Sequence, residues 1–390
     1  MAPLRVVVVA AGSHIFGAAH APALEALGVQ VVGVQDLSRA RAEEVAGPRG
    51  WPVFDTLGEL LSLEADLAVV CSPHPLHAEL VSACLAAGLH VLVEKPLAAR
   101  AGEGRHLVEQ ARAAGLVLAV PLQHRLRREV REAKRLIDSG RLGSLRRAVV
   151  VSSYPKASAY YTDTSWRGTW QGEGGGVLLN QGQHDVDTLV HLVGMPVRLY
   201  AAARTAVHPI ETEDTVEVLF EWPQGLLGSL HVTSAAAHGP NRIEITGSRG
   251  MLRILPHGLE IVDNARCFDE FARQTADHFA PFPQDPPRFV EGGEGTHEGI
   301  YRDLLAALAT GRQPAAPAED ALRALEVVNA AAVSAARRQP VDLPLPDSAF
   351  DTVIDAGIRR SGGERLSPVT PRTPQLRKPQ PLPHEWKDQT

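Results

Sequence analysis

A loop bracketed by glycines, Gly12-Ser13-His14-Ile15-Phe16-Gly17, follows an apolar run and opens a helical pattern. A helix N-terminus offers free backbone amides, which suit a pyrophosphate. Gly12 permits a tight turn and Gly17 a close approach of helix to strand. His14 stands where a dinucleotide fingerprint has its second glycine. Asp36 ends the next apolar run, about 20 residues further on, where an acid takes ribose hydroxyls and repels a 2′-phosphate. Gly12, Ser13, His14, Ile15, Phe16 and Asp36 are therefore candidate contacts to NAD. Arg39 and Arg41, just behind, leave NADP as the alternative. The competing reading is a strand–helix turn without a ligand, with Asp36 merely capping the following helix.

These residues need a scaffold, and the first third of the chain supplies one. Apolar runs at 4–10, 29–36, 67–71, 90–94 and 116–120 alternate with helical spacing at 17–27, 38–46, 75–87 and 101–114. That rhythm predicts a doubly wound parallel sheet, an N-terminal Rossmann domain over residues 1–123. A charged amphipathic helix at 126–139 follows. Alternating segments at 145–153, 215–221, 226–233, 242–247 and 251–255 then have few helices between them. They predict a second, α+β domain over 124–346 on an open, mostly antiparallel sheet. Helices near 297–310 and 318–338 close it, the second with acids at its start and arginines at its end. Residues 347–390 read as a proline-rich tail, disordered or wrapped on a neighbour.

Composition narrows the partners. A chain of 390 residues with net charge −6 carries no basic excess for nucleic acid. Its three cysteines form no pairing or metal-ligand spacing, which fits a reducing compartment. No signal segment is evident, and no apolar run approaches the roughly 20 residues of a membrane span. A cytoplasmic location is the expectation.

Three further stretches stand out. Ser72-Pro73-His74-Pro75-Leu76-His77 and Glu94-Lys95-Pro96 each follow a predicted parallel strand. Ligands bind at such strand ends, so Ser72, His74, His77, Glu94 and Lys95 join the candidate cofactor contacts. Much later comes Gly174-Gly175-Gly176-Val177-Leu178-Leu179-Asn180-Gln181-Gly182-Gln183-His184-Asp185-Val186-Asp187. Together with His20, Trp166-Arg167 and the 241–247 segment, these stretches resemble the Gfo/Idh/MocA family, the glucose–fructose oxidoreductase and inositol dehydrogenase group. The resemblance runs from the nucleotide loop to about Leu345. It implies a nicotinamide-dependent oxidoreductase acting on a sugar, polyol or cyclic alcohol, assembled as a homodimer or homotetramer through the second sheet. Lys95 matches the family's catalytic lysine and His184 its catalytic histidine. Asn180 stands where the family usually has aspartate.

Oxidising a carbinol requires removal of its hydroxyl proton as the carbonyl forms. His184 is a candidate base, because an unperturbed imidazole titrates near neutral pH. Lys95 holds the substrate oxygen, or is itself the base if its pKa is lowered. Asn180 takes no proton and only orients. If 180–191 is one helix, Asn180, His184 and Asp187 share a face, and Asp187 orients His184. A packing histidine beside an ordinary helix acid is the plainer alternative. Arg167, within an aromatic stretch that includes Tyr160, Tyr161, Trp166 and Trp170, is a candidate for binding substrate. The His184, Asp187 and His191 stripe has no companion ligands, so no metal is expected. Two rival functions share these residues. One is an NAD-dependent glycoside hydrolase working by transient oxidation; the other is a non-catalytic NAD-binding regulator.

Overall fold

The computed structural model describes residues 4–361 apart from His238 and Pro240. Six strands make the first sheet: β1 (Arg5–Val9), β2 (Gln30–Gln35), β3 (Val53–Phe54), β4 (Leu67–Val70), β5 (His90–Val93) and β6 (Leu118–Ala119). Their order is β3-β2-β1-β4-β5-β6, and every pairing is parallel. Helices cover both faces, so Val6 to Val9 and Leu67 to Val70 are buried throughout and read as unbroken apolar runs. Strand order reverses between β1 and β4. The crevice beyond their C-terminal ends is where such sheets take ligands.

The second sheet has nine strands: β7 (Leu145–Ser153), β8 (Arg198–Arg204), β9 (Thr215–Glu221), β10 (Leu227–Thr233), β11 (Arg242–Gly247), β12 (Gly250–Leu255), β13 (Gly258–Asp263), β14 (Arg288–Glu291) and β15 (Val341–Asp342). In the order β14-β13-β12-β11-β7-β10-β9-β8-β15, all neighbours are antiparallel except β7 and β10. One face packs under the helices Gln183–Val193 and Ala318–Arg337, which bury Ala148, Val150, Leu199, Val218 and Leu230. The other face is open. It carries exposed Tyr200, Leu219 and Leu227 beside an ionic ladder of Arg147, Glu244, Arg253 and Glu260. That face is mixed, not wholly apolar.

Two expectations need correction. Residues 347–360 are not tail: Asp347–Arg360 is a helix with Ala349, Phe350 and Ile354 buried. Its acids Asp351 and Asp355 hold Arg100 of the first domain, and Gly357 lies against the Trp170 ring. The rest of the expected tail, 362–390, lies outside the described residues. Nor is 180–191 one helix. The turn Val177–Asn180 stops, Gln181 and Gly182 intervene, and Gln183–Val193 begins anew. The break frees the Asn180 carbonyl, as helix ends do.

Candidate active site at the end of the parallel sheet

The nucleotide loop is pinned from behind. Asp36 accepts the Gly12 amide at 2.9 Å through one oxygen and the Ser38 amide at 2.8 Å through the other. A Cβ on Gly12 would sit 2.5 Å from Arg41 Cβ and 3.0 Å from the Asp36 carboxylate, so only glycine fits. The tight turn itself falls on Ala10, with φ 61°, rather than on Gly12. A Cβ on Gly17 would meet only Val45 at an ordinary 3.5 Å, so close packing does not demand that glycine. The Ser13 hydroxyl caps the Phe16 amide. The His14 and Ile15 amides meet no acceptor among the described residues. Two free amides at a helix start suit a pyrophosphate. The helix begins with a π-helical turn, Phe16–His20, before Ala21–Ala26.

Other expected cofactor contacts sort into those that face the crevice and those that brace it. The Ser72 hydroxyl, just past β4, is buried and unpartnered, as a group awaiting a ligand would be. His77 is a correction. It is fully buried and its ring bridges the carbonyls of Pro96 (2.7 Å) and Ser72 (2.8 Å), leaving no nitrogen for a cofactor. Arg39 is likewise held elsewhere, by Glu43 and Asp55; Arg41 is the arginine that borders Gly12. His74 reaches the Glu173 carbonyl at 3.2 Å and stands edge-on to Trp166. Glu94 is buried among His20 (2.8 Å), His297 (3.2 Å) and the Lys95 amide (3.1 Å). Burial pushes its carboxyl up, but the two histidines outweigh burial and hold it well below the usual range. The ligating atoms of His20, Glu94 and His297 lie within 4.8 Å of one another. The mutual hydrogen bonds, with Tyr301 on the far side of His20, account for that arrangement.

Beyond the brace lies Lys95. Its Nζ donates to the Asn180 carbonyl at 2.7 Å and to Asn180 Oδ1 at 3.0 Å. The helix break makes the first bond available, because an unbroken helix would spend that carbonyl on His184. The broken backbone depends on the glycines before it. Gly174 has φ +84°, and a Cβ on Gly176 would lie 2.0 Å from the Glu213 carbonyl oxygen. Burial lowers the Lys95 pKa, partly offset by Glu94 and Glu173.

His184 is partly buried beside Lys95, and its ring stacks on His124 with centroids 4.6 Å apart. Its Nδ1 is buried without a partner. Burial, then His124 and Lys95, drives its pKa well below the ordinary value, so the ring is neutral near pH 7. The expected orienting acid is not there. Asp187 is spent on Arg125, with bonds of 2.6 Å and 2.9 Å, and Arg125 also pairs with Asp320. A cavity of about 370 Å³ opens at His124, lined also by Arg127, His257 and Thr296. Arg167 stacks on Tyr160 and Trp166 and bonds the Tyr160 hydroxyl. That hydroxyl also accepts from the side chains of Asn180 and Gln181. Trp170 and Tyr161 are elsewhere, against Gly357 and Ser234.

Two residues of this site escaped the sequence reading. Glu173 carries its own signal, an acid directly before three glycines. His124 had none, since stacking on a residue 60 positions away leaves no local trace.

The parallel sheet, its switch-point crevice and the free loop amides are the features of a dinucleotide-binding Rossmann domain. The chain belongs to the Gfo/Idh/MocA family: residues 4–122 match its NAD-binding Rossmann domain and residues 130–253 its C-terminal domain. It is 31% identical over 235 residues to mouse trans-1,2-dihydrobenzene-1,2-diol dehydrogenase, a match covering 58% of this chain. That match spans 66% of the mouse protein, just under two thirds of its length. The scyllo-inositol 2-dehydrogenase (NADP(+)) of Bacillus subtilis is 26% identical over 348 residues, covering 83% of this chain and 92% of that one. Among solved structures, the WlbA dehydrogenase of Chromobacterium violaceum, in complex with NADH and UDP-GlcNAcA, superposes with TM-score 0.75. It is 27% identical, with 88% of this chain and 97% of that chain covered. No helix among the described residues is long and apolar enough to cross a membrane.

Proposed function

We propose that this protein is an NAD-dependent dehydrogenase acting on a secondary alcohol of a sugar, polyol or cyclic diol. The carrying observation is the Lys95 amine, held by two oxygens of Asn180 at the switch-point crevice beside a neutral His184. When bound, the nicotinamide takes or gives the hydride. Lys95 meets the reacting oxygen and carries the proton, because burial lowers its pKa towards a working range. This departs from the expectation that His184 is the base. Nδ1 meets no acid, and burial, His124 and Lys95 outweigh the one favourable charge, Glu94, so the site disfavours an imidazolium. His184 instead positions the substrate through a hydrogen bond. Arg167 and Tyr160 line the approach, and the dihydrodiol, inositol and sugar-nucleotide names of the relatives support a vicinal hydroxyl substrate. A cytoplasmic homodimer or homotetramer, joined through the open sheet face, completes the proposal.

The test is a panel of inositols, sugars, uronic acids and dihydrodiols with NAD⁺, followed by absorbance of the reduced cofactor. Stoichiometric reduction with one of them is the expected result. Release of an aglycone without net reduction would point to the hydrolase instead.

Asp36 gives a cofactor prediction. Asp36→Ala removes the anchor of Gly12 and Ser38 along with the ribose acceptor. NAD⁺ affinity is expected to fall about 10–100-fold, the scale of lost hydrogen bonds to a charged group. The preference for NAD⁺ over NADP⁺ should narrow in the same titrations, and an unchanged preference would contradict the ribose role.

A further inference from the structure

The geometry points to Glu173 as a positioning residue whose carboxylate, acting through the Asn180 amide, orients and charges the Lys95 amine in place of an acid at position 180. This rests on the hydride-transfer reading of the site. Asn180 brings no charge of its own, and the acid that stands behind its amide is Glu173.

The hydrogen bonds run in one direction only. An ammonium only donates and a carboxylate only accepts. Asn180 meets Lys95 with Oδ1 and meets Glu173 Oε1 with Nδ2. Turning the amide over would set its NH₂ against the ammonium and its oxygen against the carboxylate, two repulsions for two bonds. Glu173 therefore fixes which end of Asn180 faces Lys95. Its other oxygen is fixed in turn by the Gly168 amide at 2.6 Å.

Burial makes the arrangement costly without a purpose. Glu173 is 1% exposed, and a buried carboxylate requires cations. The cations it feels are Arg167 and Lys95. Glu213 and Tyr161 face it as further acidic groups. Around Lys95 the charges are Glu94 and Glu173 against Arg167 and Lys156, with the rings of His74, His77 and His184 alongside. Glu94 acts on the amine more strongly, but through space: its oxygens are bonded to His20, His297 and the Lys95 backbone amide, whereas Glu173 reaches the amine through the Asn180 hydrogen bonds. Burial raises the Glu173 pKa, and the Gly168 amide, Arg167, the Asn180 amide and Lys95 oppose that rise; in the proposal Glu173 stays a carboxylate while Lys95 exchanges the proton with the substrate oxygen.

The test uses the full chain with NAD⁺ bound and two readouts. Competitive acetylation across pH, read by mass spectrometry, reports the titration midpoint of the Lys95 amine without any turnover. The pH profile of kcat/KM reports its use. Glu173→Gln is expected to lower the Lys95 midpoint by about one pH unit, the scale of a removed nearby opposite charge. The acidic limb of alcohol oxidation should move down with it. The kcat should fall about tenfold or more from loss of orientation, with KM little changed. The decisive variant is Glu173→Gln combined with Asn180→Asp, which moves the carboxylate to the amine. It should restore the midpoint and most of the kcat, whereas a merely structural Glu173 would leave the pair no better than the single variant. Should Glu173→Gln fail to fold, Glu173→Asp serves: it keeps the charge, and should lower kcat while leaving the midpoint in place.

An unmoved midpoint in Glu173→Gln, an unrescued double variant, or a displaced midpoint in Glu173→Asp would overturn the proposal. If the wild type reduces no NAD⁺ on the panel while the midpoint shifts as described, the dehydrogenase reading fails and the charge role of Glu173 stands.

Discussion

Lys95→Ala is expected to lower turnover by about 10²–10⁴-fold, the range for a positioned proton-transfer group. NAD⁺ affinity should stay within about twofold, because the groups suited to the pyrophosphate and ribose are the loop amides and Asp36. Steady-state rates and a fluorescence titration on the same preparation check both halves. Lys95→Arg separates charge from proton transfer. It retains a positive charge that could still hold an oxygen, yet a guanidinium releases no proton in proteins. Lys95→Arg is therefore expected to fail about as badly as alanine. An active arginine variant would mean that Lys95 serves only as a charge. His184→Ala should lose rate as well, and the loss should not multiply with that of Lys95→Ala, since groups acting on one substrate oxygen behave as a unit.

Asp187→Ala should instead act on stability. Arg125 is 4% exposed and Asp187 fully buried. The pair ties the segment Gln123–Leu126, at the junction of the sheets, to the helix Gln183–Val193, and Asp320 adds the helix Ala318–Arg337. Removing Asp187 leaves a buried guanidinium with one partner, and Asp320 is itself partly exposed. Breaking such a pair from one side costs about 3–5 kcal/mol. Denaturant unfolding should show that loss, while kcat per folded molecule should remain close to wild type. An orienting role on His184 would give the opposite pattern, with rate lost and stability kept.

Legibility in the sequence followed how local the signal was. The parallel sheet showed itself because strands buried on both faces are continuous apolar runs between helices, as in Val6 to Val9 and Leu67 to Val70. In the second sheet β7, β9, β10, β11 and β12 were visible by alternation. β8 was not: Arg198-Leu-Tyr-Ala-Ala-Ala-Arg places alanines where strands usually show β-branched residues, and only its neighbours make it a strand. The helix Asp347–Arg360 was hidden by the proline-rich composition that follows it. At the site, Asp36, Lys95, Asn180 and His184 were each readable in place, but their partners were not. Spacing on an assumed helix joined Asp187 to His184, and the break at Gln181 and Gly182 turned Asp187 to Arg125 instead. Glu173 and His124 meet the site through tertiary contacts that no periodicity encodes.

The central claim is that the crevice between β1 and β4 presents a nicotinamide to Lys95 and His184. A crystal structure of the full chain with NAD⁺ tests it most directly. The expected result is the pyrophosphate on the His14 and Ile15 amides, the adenosine ribose on Asp36, and C4 of the nicotinamide facing the Lys95 amine. A dinucleotide bound elsewhere, or one whose nicotinamide points away from Lys95 and His184, would contradict it.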